Sequence, residues 1–377
     1  MKIIYCIADI YNPGGMERVL LNKLQWLAGR GGYELGLVTT DQNGRPPFYR
    51  FPDWVKMTDL AINYKADNGK NPLAKTLGYL RRRRLHRKAL TEHLMRERAD
   101  IVVSLYPSES SFIPRIKDGS RKVLELHFNK FFRLQYNRKG LLGLADRLRT
   151  WQDERIVRRF DKFVVLTQQD AQMWDPLPNL EVIPNAAPSL PDLPRTAGSK
   201  RVIAAGRLDY QKGFDRLLDA WAMLPDGIRR EWHLDIFGQG EWKERLEAQA
   251  ARLGISDSAS INPPTDKIFA EYADSSFLVM SSHYEGFPMV MIEAMASGLP
   301  VVSFDFPCGP RDIITPGTDG LIVQDGDIAS LAGAMLELME NPAKIEAMSI
   351  RARKVSETYS EDKIMGYWEK CFKDLLS

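Results

Sequence analysis

At 377 residues, with 44% hydrophobic and 27% charged residues and a formal net charge of +3, the chain has the composition of a globular protein large enough for two domains. No apolar run reaches the ~18 residues a membrane-spanning helix needs, and Met1 to Asp9 reads as a first strand, because an acid follows too soon for a signal peptide. The three cysteines Cys6, Cys308 and Cys371 have neither metal-ligand spacing nor the density of a disulfide framework, which suits a reducing cytoplasm. Charge is unevenly spread, +12 over residues 1–185 and −9 over the remainder, so the N-terminal half is expected to meet an anionic partner: membrane lipid, an acceptor or nucleic acid.

Lys2 to Ala8 predicts a strand, Asn12 to Gly15 a turn, Met16 to Ala28 an amphipathic helix and Tyr33 to Thr39 a second strand. This β-α-β opening places Gly14 and Gly15 at a strand's C-terminal edge, where open α/β sheets bind ligands. Residues 41–70 carry no periodic pattern. Lys75 to Arg98 predicts a helix with Leu77, Leu80, Leu85, Leu90 and Leu94 set among eight basic residues from Arg81 onward. It is either a solvated helix with one apolar face or a helix lying on an anionic membrane, where each Lys or Arg contributes about 1 kcal/mol. Phe128 to Arg159 repeats the mixture, with Phe131, Phe132, Tyr136, Leu141, Leu142 and Trp151 among Lys and Arg. Short apolar runs at Ile101 to Ser104, Lys122 to Leu126 and Phe163 to Leu166 predict strands, and His127 follows the second directly. His86, His93 and His233 have no such context and read as surface residues. Pro184, Pro188, Pro191 and Pro194 mark a linker.

The alternation restarts with a strand over Arg201 to Ala205. The loop Gly206 to Gly213, GRLDYQKG, then puts Arg207 and Lys212 on one strand-to-helix turn, where two cations can meet a diphosphate. A helix over Phe214 to Met223 follows, then a strand over Trp232 to Phe237 running into Gly238-Gln-Gly240, and a helix over Glu241 to Leu253. The densest stretch is Ser281 to Pro300, SSHYEGFPMVMIEAMASGLP, set between apolar runs at Phe277 to Met280 and Val301 to Phe304. Gly286 allows a turn, Pro288 suits the first helical position, and Met289, Val290, Met291, Ala294 and Met295 keep helical spacing until Gly298 and Pro300. Glu285 then precedes a helix N-terminus, and Glu293 lies about 7.5 Å along the axis from Pro288 at ~1.5 Å per residue. Between them lie exposed backbone N–H groups and the positive end of a helix dipole, a site for an anion. Two carboxylates would repel that anion unless they hydrogen-bond neutral groups on either side of it. A nucleotide sugar has that layout, with ribose and sugar hydroxyls flanking a diphosphate. Asp325-Gly-Asp327 is a literal D-x-D, but it precedes a helix over Ile328 to Met339, so Asp327 reads as an N-cap. A last helix runs from Ser360 to Leu376.

Glu285 and Glu293 form an E-x7-E pattern inside S-x-x-E-G-F-P, and Gly206 to Gly213 gives G-R-L-x-x-x-K-G. In these motifs the sequence resembles the family-4 retaining nucleotide-sugar glycosyltransferases. The resemblance implies an α/β fold of the GT-B type, two Rossmann-like domains with parallel sheets facing across a donor cleft. It implies an acceptor domain over 1–185, a linker over 186–199, a donor domain over 200–358 and a C-terminal helix over 359–377 returning to the first domain. It further implies sugar transfer from a nucleotide-diphosphate carrier, with uridine the commoner base, to a hydroxyl of a glycan or lipid-linked acceptor. Such a reaction serves cell-surface polysaccharide biosynthesis at the inner face of a membrane.

By the same resemblance Arg207 and Lys212 offset the diphosphate charge, Glu285 and His127 hold the sugar, and Glu293 grips the ribose. Gly14, Gly15, Gly286, Phe287, Met289 and Val290 complete the donor contacts. No metal or other cofactor is expected, because the two cations and the helix N-terminus supply the charge a D-x-D enzyme takes from a metal. Cys308 to Ile314 matches a G-P-x-E-I-I loop with Asp312 for glutamate, so Asp312 receives no catalytic role, and Ser260 to Thr265 departs from the family's strand-then-glycine. The alternatives are a GT-B epimerase or phosphorylase, a non-catalytic lipid- or polyanion-binding protein, and a nicotinamide-dependent dehydrogenase. The last is disfavoured because no G-x-G-x-x-G follows a strand with an acid ~20 residues on.

Overall fold

The computed structural model describes residues 1–12, 14–67, 69, 71–105, 109–134, 140–174, 176–191 and 193–377; Pro13 and Tyr136 lie outside the described residues. The chain forms two compact units. One comprises Met1–Leu166, Ala171–Pro184 and Ile364–Ser377, the other Thr167–Asp170 and Asn185–Lys363.

The first unit is built on β1 (Lys2–Ile7), β2 (Glu34–Thr39), β3 (Lys56–Asp59), β4 (Ile101–Ser104), β5 (Arg121–Glu125), β6 (Lys162–Val165) and β7 (Leu180–Val182). They form a parallel sheet in the order β3-β2-β1-β4-β5-β6-β7. The central strands are nearly continuous apolar runs because helices cover both faces of a parallel sheet, and β4 is buried along its whole length. The edge strand β3 is the exception. Its sequence KMTD is polar and mostly exposed, and only pairing with β2 makes it a strand, which is why residues 41–70 carry no pattern by themselves.

Helix α1 (Gly15–Arg30) buries Leu20, Leu24 and Leu27, and α2 (Pro72–Glu97) starts where the Asn71 side chain accepts the Ala74 N–H at 2.8 Å. Only the C-terminal half of α2 enters the core, with Leu90 and Leu94 fully buried, while Leu77, Leu80 and Leu85 stay exposed to solvent. The surface reading of His86 and His93 is wrong: both are buried, at 1% and 5% exposure. The His86 Nδ1 lies 3.0 Å from the Tyr64 hydroxyl and the ring meets Phe112 edge-on. Burial pushes its imidazole down to about 4, so it is neutral at pH 7. Helix α3 (Gly140–Val157) carries Leu144, Leu148 and Trp151 exposed.

The second unit repeats the plan with β8 (Arg201–Ala205), β9 (His233–Phe237), β10 (Ala259–Asn262), β11 (Phe277–Met280), β12 (Val301–Phe304) and β13 (Gly320–Val323), in the order β10-β9-β8-β11-β12-β13. Every pairing is parallel. Ser260 to Asn262 lie in β10, so the departure from the family pattern is confined to the two prolines that follow. Strand order reverses between β8 and β11, the topological switch point beyond whose C-terminal ends open α/β sheets bind ligands.

The closing helix, Glu361–Leu376, joins the first unit from Ile364 onward. Trp368 is 1% exposed and its ring covers the Lys23 ammonium at 3.7 Å, while Tyr33 donates a hydrogen bond to Glu369 at 3.0 Å. Among the described residues no helix is long and apolar enough to cross a membrane. Trp368→Ala removes the largest of these contacts and is expected to destabilise the first unit by ~3–5 kcal/mol. Urea unfolding tests this, and an unchanged midpoint would show that the helix adds nothing to that core.

Candidate functional site

The loops leaving β8 and β11 meet because their strands are neighbours in the sheet. Gly206 and Gly213 make the close approach feasible. Both have positive φ, and a Cβ on Gly206 would stand 2.6 Å from Lys212 Cε, one on Gly213 2.2 Å from the Ser281 carbonyl oxygen. A single 3₁₀ turn, Tyr210–Lys212, is started by Asp209, whose carboxylate accepts the Lys212 N–H at 3.4 Å. It aims the Lys212 ammonium at Glu285 Oε1, 2.7 Å away. The same oxygen accepts from Ser282 Oγ at 2.7 Å, and Oε2 accepts from Gln211 Nε2 at 3.1 Å. Glu285 is therefore a buried, fully engaged carboxylate at 6% exposure rather than a solvated loop charge.

Arg207 shares the loop but points outward, 69% exposed, with its Nε 3.2 Å from Asp209 and an Nη donating to Gln211 at 3.0 Å. Arg216, which the sequence did not single out, pins the second loop by donating to the carbonyls of Ser281 and Ser282 at 2.6 and 2.7 Å. Its remaining charge pairs with Asp325 at 2.8 Å, and the Asp327 side chain accepts the Ser330 N–H at 3.0 Å as the cap of the helix Ile328–Glu340. Both acids of the D-x-D are thus engaged in structural contacts.

The helix carrying Glu293 runs Met289–Ala296, with Pro288 at the N-cap, one position earlier than the spacing suggests, and no side chain caps that end. Met291 N–H turns back to the Pro288 carbonyl at 2.9 Å, so the capacity for an anion at this end rests on the N–H groups of Met289 and Val290. Phe287 is buried and packs against Tyr359 with ring centroids 5.6 Å apart, so only its backbone is available to a donor. Met289, Val290 and Glu293 are half-buried, Gly286 likewise. Burial first, then the Glu293 charge, pushes the Tyr272 phenol well above its usual range. Asp312 accepts the N–H groups of Gln168 and Gln169 at 3.0 and 3.3 Å, a capping role for the short helix Gln168–Met173. A cavity of about 620 Å³ in this unit, lined in part by Arg195, Trp232, Ile345 and Arg353, contains none of these loop residues.

In the first unit His127 Nε2 lies 3.2 Å from Glu125 Oε1, and Glu125 receives both its oxygens' main contact from Lys23 at 2.7 and 2.8 Å. Lys23 and Glu125 are 4% and 1% exposed. Burial works to raise the Glu125 carboxyl, but the charges of Lys23 and His127 override it and hold the group at about 2; burial draws the Lys23 ammonium down. Glu125 was legible as the one acid in the run Lys122 to Leu126, two residues from His127 and so on the same strand face. Gly14 faces the Glu17 side chain, whose Oε2 would lie 2.0 Å from a Cβ there, whereas Gly15 is open. Burial raises the Glu17 carboxyl.

Two units, each on a doubly wound parallel sheet, with cations and carboxylates gathered at the switch point of the second, define a glycosyltransferase of the GT-B type. The family described as Glycosyltransferase Family 4 matches residues 13–188, and that described as Glycosyl transferases group 1 matches residues 190–355. The chain belongs to the family-4-type glycosyltransferases and is an enzyme of the hexosyltransferase kind. It is 30% identical to the amylovoran biosynthesis glycosyltransferase AmsD of Erwinia amylovora over 85% of each chain. It is 29% identical to an uncharacterized glycosyltransferase of Haemophilus influenzae over 98% of this chain and 99% of that one. The fold matches that of the Anabaena protein HepE, solved with UDP and glucose, at a TM-score of 0.73, with 16% identity over 99% of this chain and 100% of that one.

Glu125→Gln strands the buried Lys23 ammonium and is expected to destabilise the first unit by ~3–5 kcal/mol at pH 7. A carboxyl held below its ordinary 4.5 stabilises the fold above that pH and loses the contribution as pH falls towards 2. The gap between wild type and variant in urea unfolding should therefore shrink between pH 4.5 and 2. A pH-independent gap would mean the pair is not ionised in the folded protein.

Proposed function

We propose that the enzyme transfers a sugar, with retention, from a UDP-sugar to a hydroxyl of a glycan or lipid-linked acceptor in cell-surface polysaccharide biosynthesis. The observation that carries this is the Lys212 ammonium, fixed 2.7 Å from Glu285 in the loop that leads into an uncapped helix N-terminus. An ammonium has three N–H donors and Glu285 takes one, which leaves Lys212 able to bond the oxygens of a departing diphosphate. Arg207, 69% exposed on the same loop, adds a bidentate fork to the diphosphate. Charge developing on the leaving group is met by preorganised cations, the kind of term that dominates such catalysis. Glu285 acts through Lys212 as well as at the sugar edge, Glu293 bonds the ribose, and His127, oriented by Glu125, is the sugar-side hydrogen-bonding group of the first unit. The AmsD likeness supports the polysaccharide setting, and the UDP in the HepE structure supports the base. Exposed Leu77, Leu80 and Leu85 beside Arg81 to Arg84 support an enzyme that rests on an anionic membrane face.

A thermal-shift screen of nucleoside diphosphates tests the base directly. At a hundredfold excess over Kd, UDP should add ~2.7 kcal/mol of stability, and equal shifts from every nucleoside diphosphate would remove the assignment of uridine. Glu293→Gln should mainly raise the donor KM, since ribose contacts are alike in the ground and transition states. Glu285→Gln should lower kcat by ~10²-fold, because it releases the cation that the transition state needs. The reverse pattern in steady-state kinetics would invert the donor along this helix.

Transfer should also survive chelation, since Asp325 is paired to Arg216 and Asp327 caps a helix. A large loss restored by Mn²⁺ or Mg²⁺ would return these two acids to the site.

A further inference from the structure

The first unit contains a groove of about 540 Å³ to which none of the donor residues contributes. Leu80, Arg83, Arg84 and Arg87 line it from α2, at i, i+3, i+4 and i+7 and so on one face of the helix. Phe112 and Arg115, the N-cap and the last residue of the 3₁₀ turn Ile113–Arg115, form the opposite wall. Four guanidinium groups thus face one concavity, and among the described residues no carboxylate lines it. Arg83 is fixed by a hydrogen bond to Ser111 Oγ at 2.9 Å, whereas Arg84, Arg87 and Arg115 form no ion pair among the described residues. The nearby Glu109 turns away, accepting from Ser104 Oγ at 2.7 Å, and His86 beneath the helix is neutral and bonds Tyr64.

Ordinary solvated helices interleave acids with bases at i, i+4, because like charges at that spacing oppose the helix. Residues 72–91 of α2 contain no Asp or Glu at all. An anion in the groove offsets that repulsion, and the planar forks of arginine match phosphate oxygens two at a time. The volume exceeds a bare phosphate, and Leu80 with Phe112 gives it an apolar wall, so the ligand carries a body beside its charge.

We propose that this groove is a subsite for a phosphate or diphosphate ester, gripped by Arg84, Arg87 and Arg115, and that the ester belongs to the acceptor. The acceptor role rests on the glycosyltransferase reading; the anion site does not.

The test is calorimetric titration of pyrophosphate into the full chain and into an Arg84→Gln/Arg87→Gln/Arg115→Gln variant, each with and without stoichiometric UDP. The wild type should show a class of pyrophosphate sites that UDP does not displace, weakening steeply with salt. In the variant that class should weaken at least tenfold, while the thermal midpoint holds or rises because like charges have gone. Vesicles of phosphatidylglycerol, with phosphatidylcholine as control, separate the sources. Vesicle binding lost together with the pyrophosphate class assigns the ester to a lipid headgroup, and loss of the pyrophosphate class with no vesicle binding in either protein assigns it to a phosphorylated acceptor. No UDP-resistant pyrophosphate binding in the wild type, or equal binding by both proteins, overturns the groove. UDP stabilisation should be the same in both proteins; its absence from both would sink the UDP reading and leave the groove's result standing.

Discussion

The second unit depends on the pairing of Lys212 with Glu285. Both side chains are largely buried, so neither charge could be left alone there without a penalty of several kcal/mol. The pair is tolerable because its remaining capacity is filled: Ser282 and Gln211 complete the carboxylate, and Arg216 anchors the loop that bears it. That requirement explains the local sequence. Two glycines let the loops approach to within a few ångströms, Asp209 sets the turn that aims Lys212, and Tyr210 stacks on His283 at 4.2 Å across the two loops. The helix that follows is left without a side-chain cap, so a largely buried cation with spare donors and an uncapped helix end belong to adjoining segments.

The first unit uses the same device with a different outcome. Lys23 and Glu125 form a pair still more deeply buried, and its product is an oriented imidazole rather than a placed ammonium. The pair is sealed by Trp368 from the last helix, so residues at the end of the chain complete the surroundings of a side chain on α1. This makes the closing helix part of the first unit's core and not an appendage.

Charge is arranged at two scales. The second half carries −9 overall, yet the loop after β8 and the helix it enters present Arg207, Lys212 and Arg216. The first half carries +12, and much of that excess is concentrated on α2, whose acid-free stretch covers the half of the helix that leaves the core and runs on to Thr91. Apolar Leu77, Leu80 and Leu85 on that same half stay exposed, whereas Leu90 and Leu94 are buried in the core.

The sequence alone determined what depends on local pattern. Apolar runs marked the central strands because both faces of a parallel sheet are covered, and glycine and proline marked the turn and helix boundaries around Glu285 to within a residue. The motif spacing named the family. Tertiary structure decided what depends on neighbours distant in the chain. The polar strand β3 exists only through β2, His86 and His93 are buried because the sheet and Phe112 cover them, and Gly14 lies against the Glu17 side chain. Above all, that Lys212 meets Glu285, 73 residues on, follows from β8 and β11 lying side by side. Strand order is set by crossover connections and not by any local signal, so the sequence displayed the charged groups while the sheet alone chose their partners.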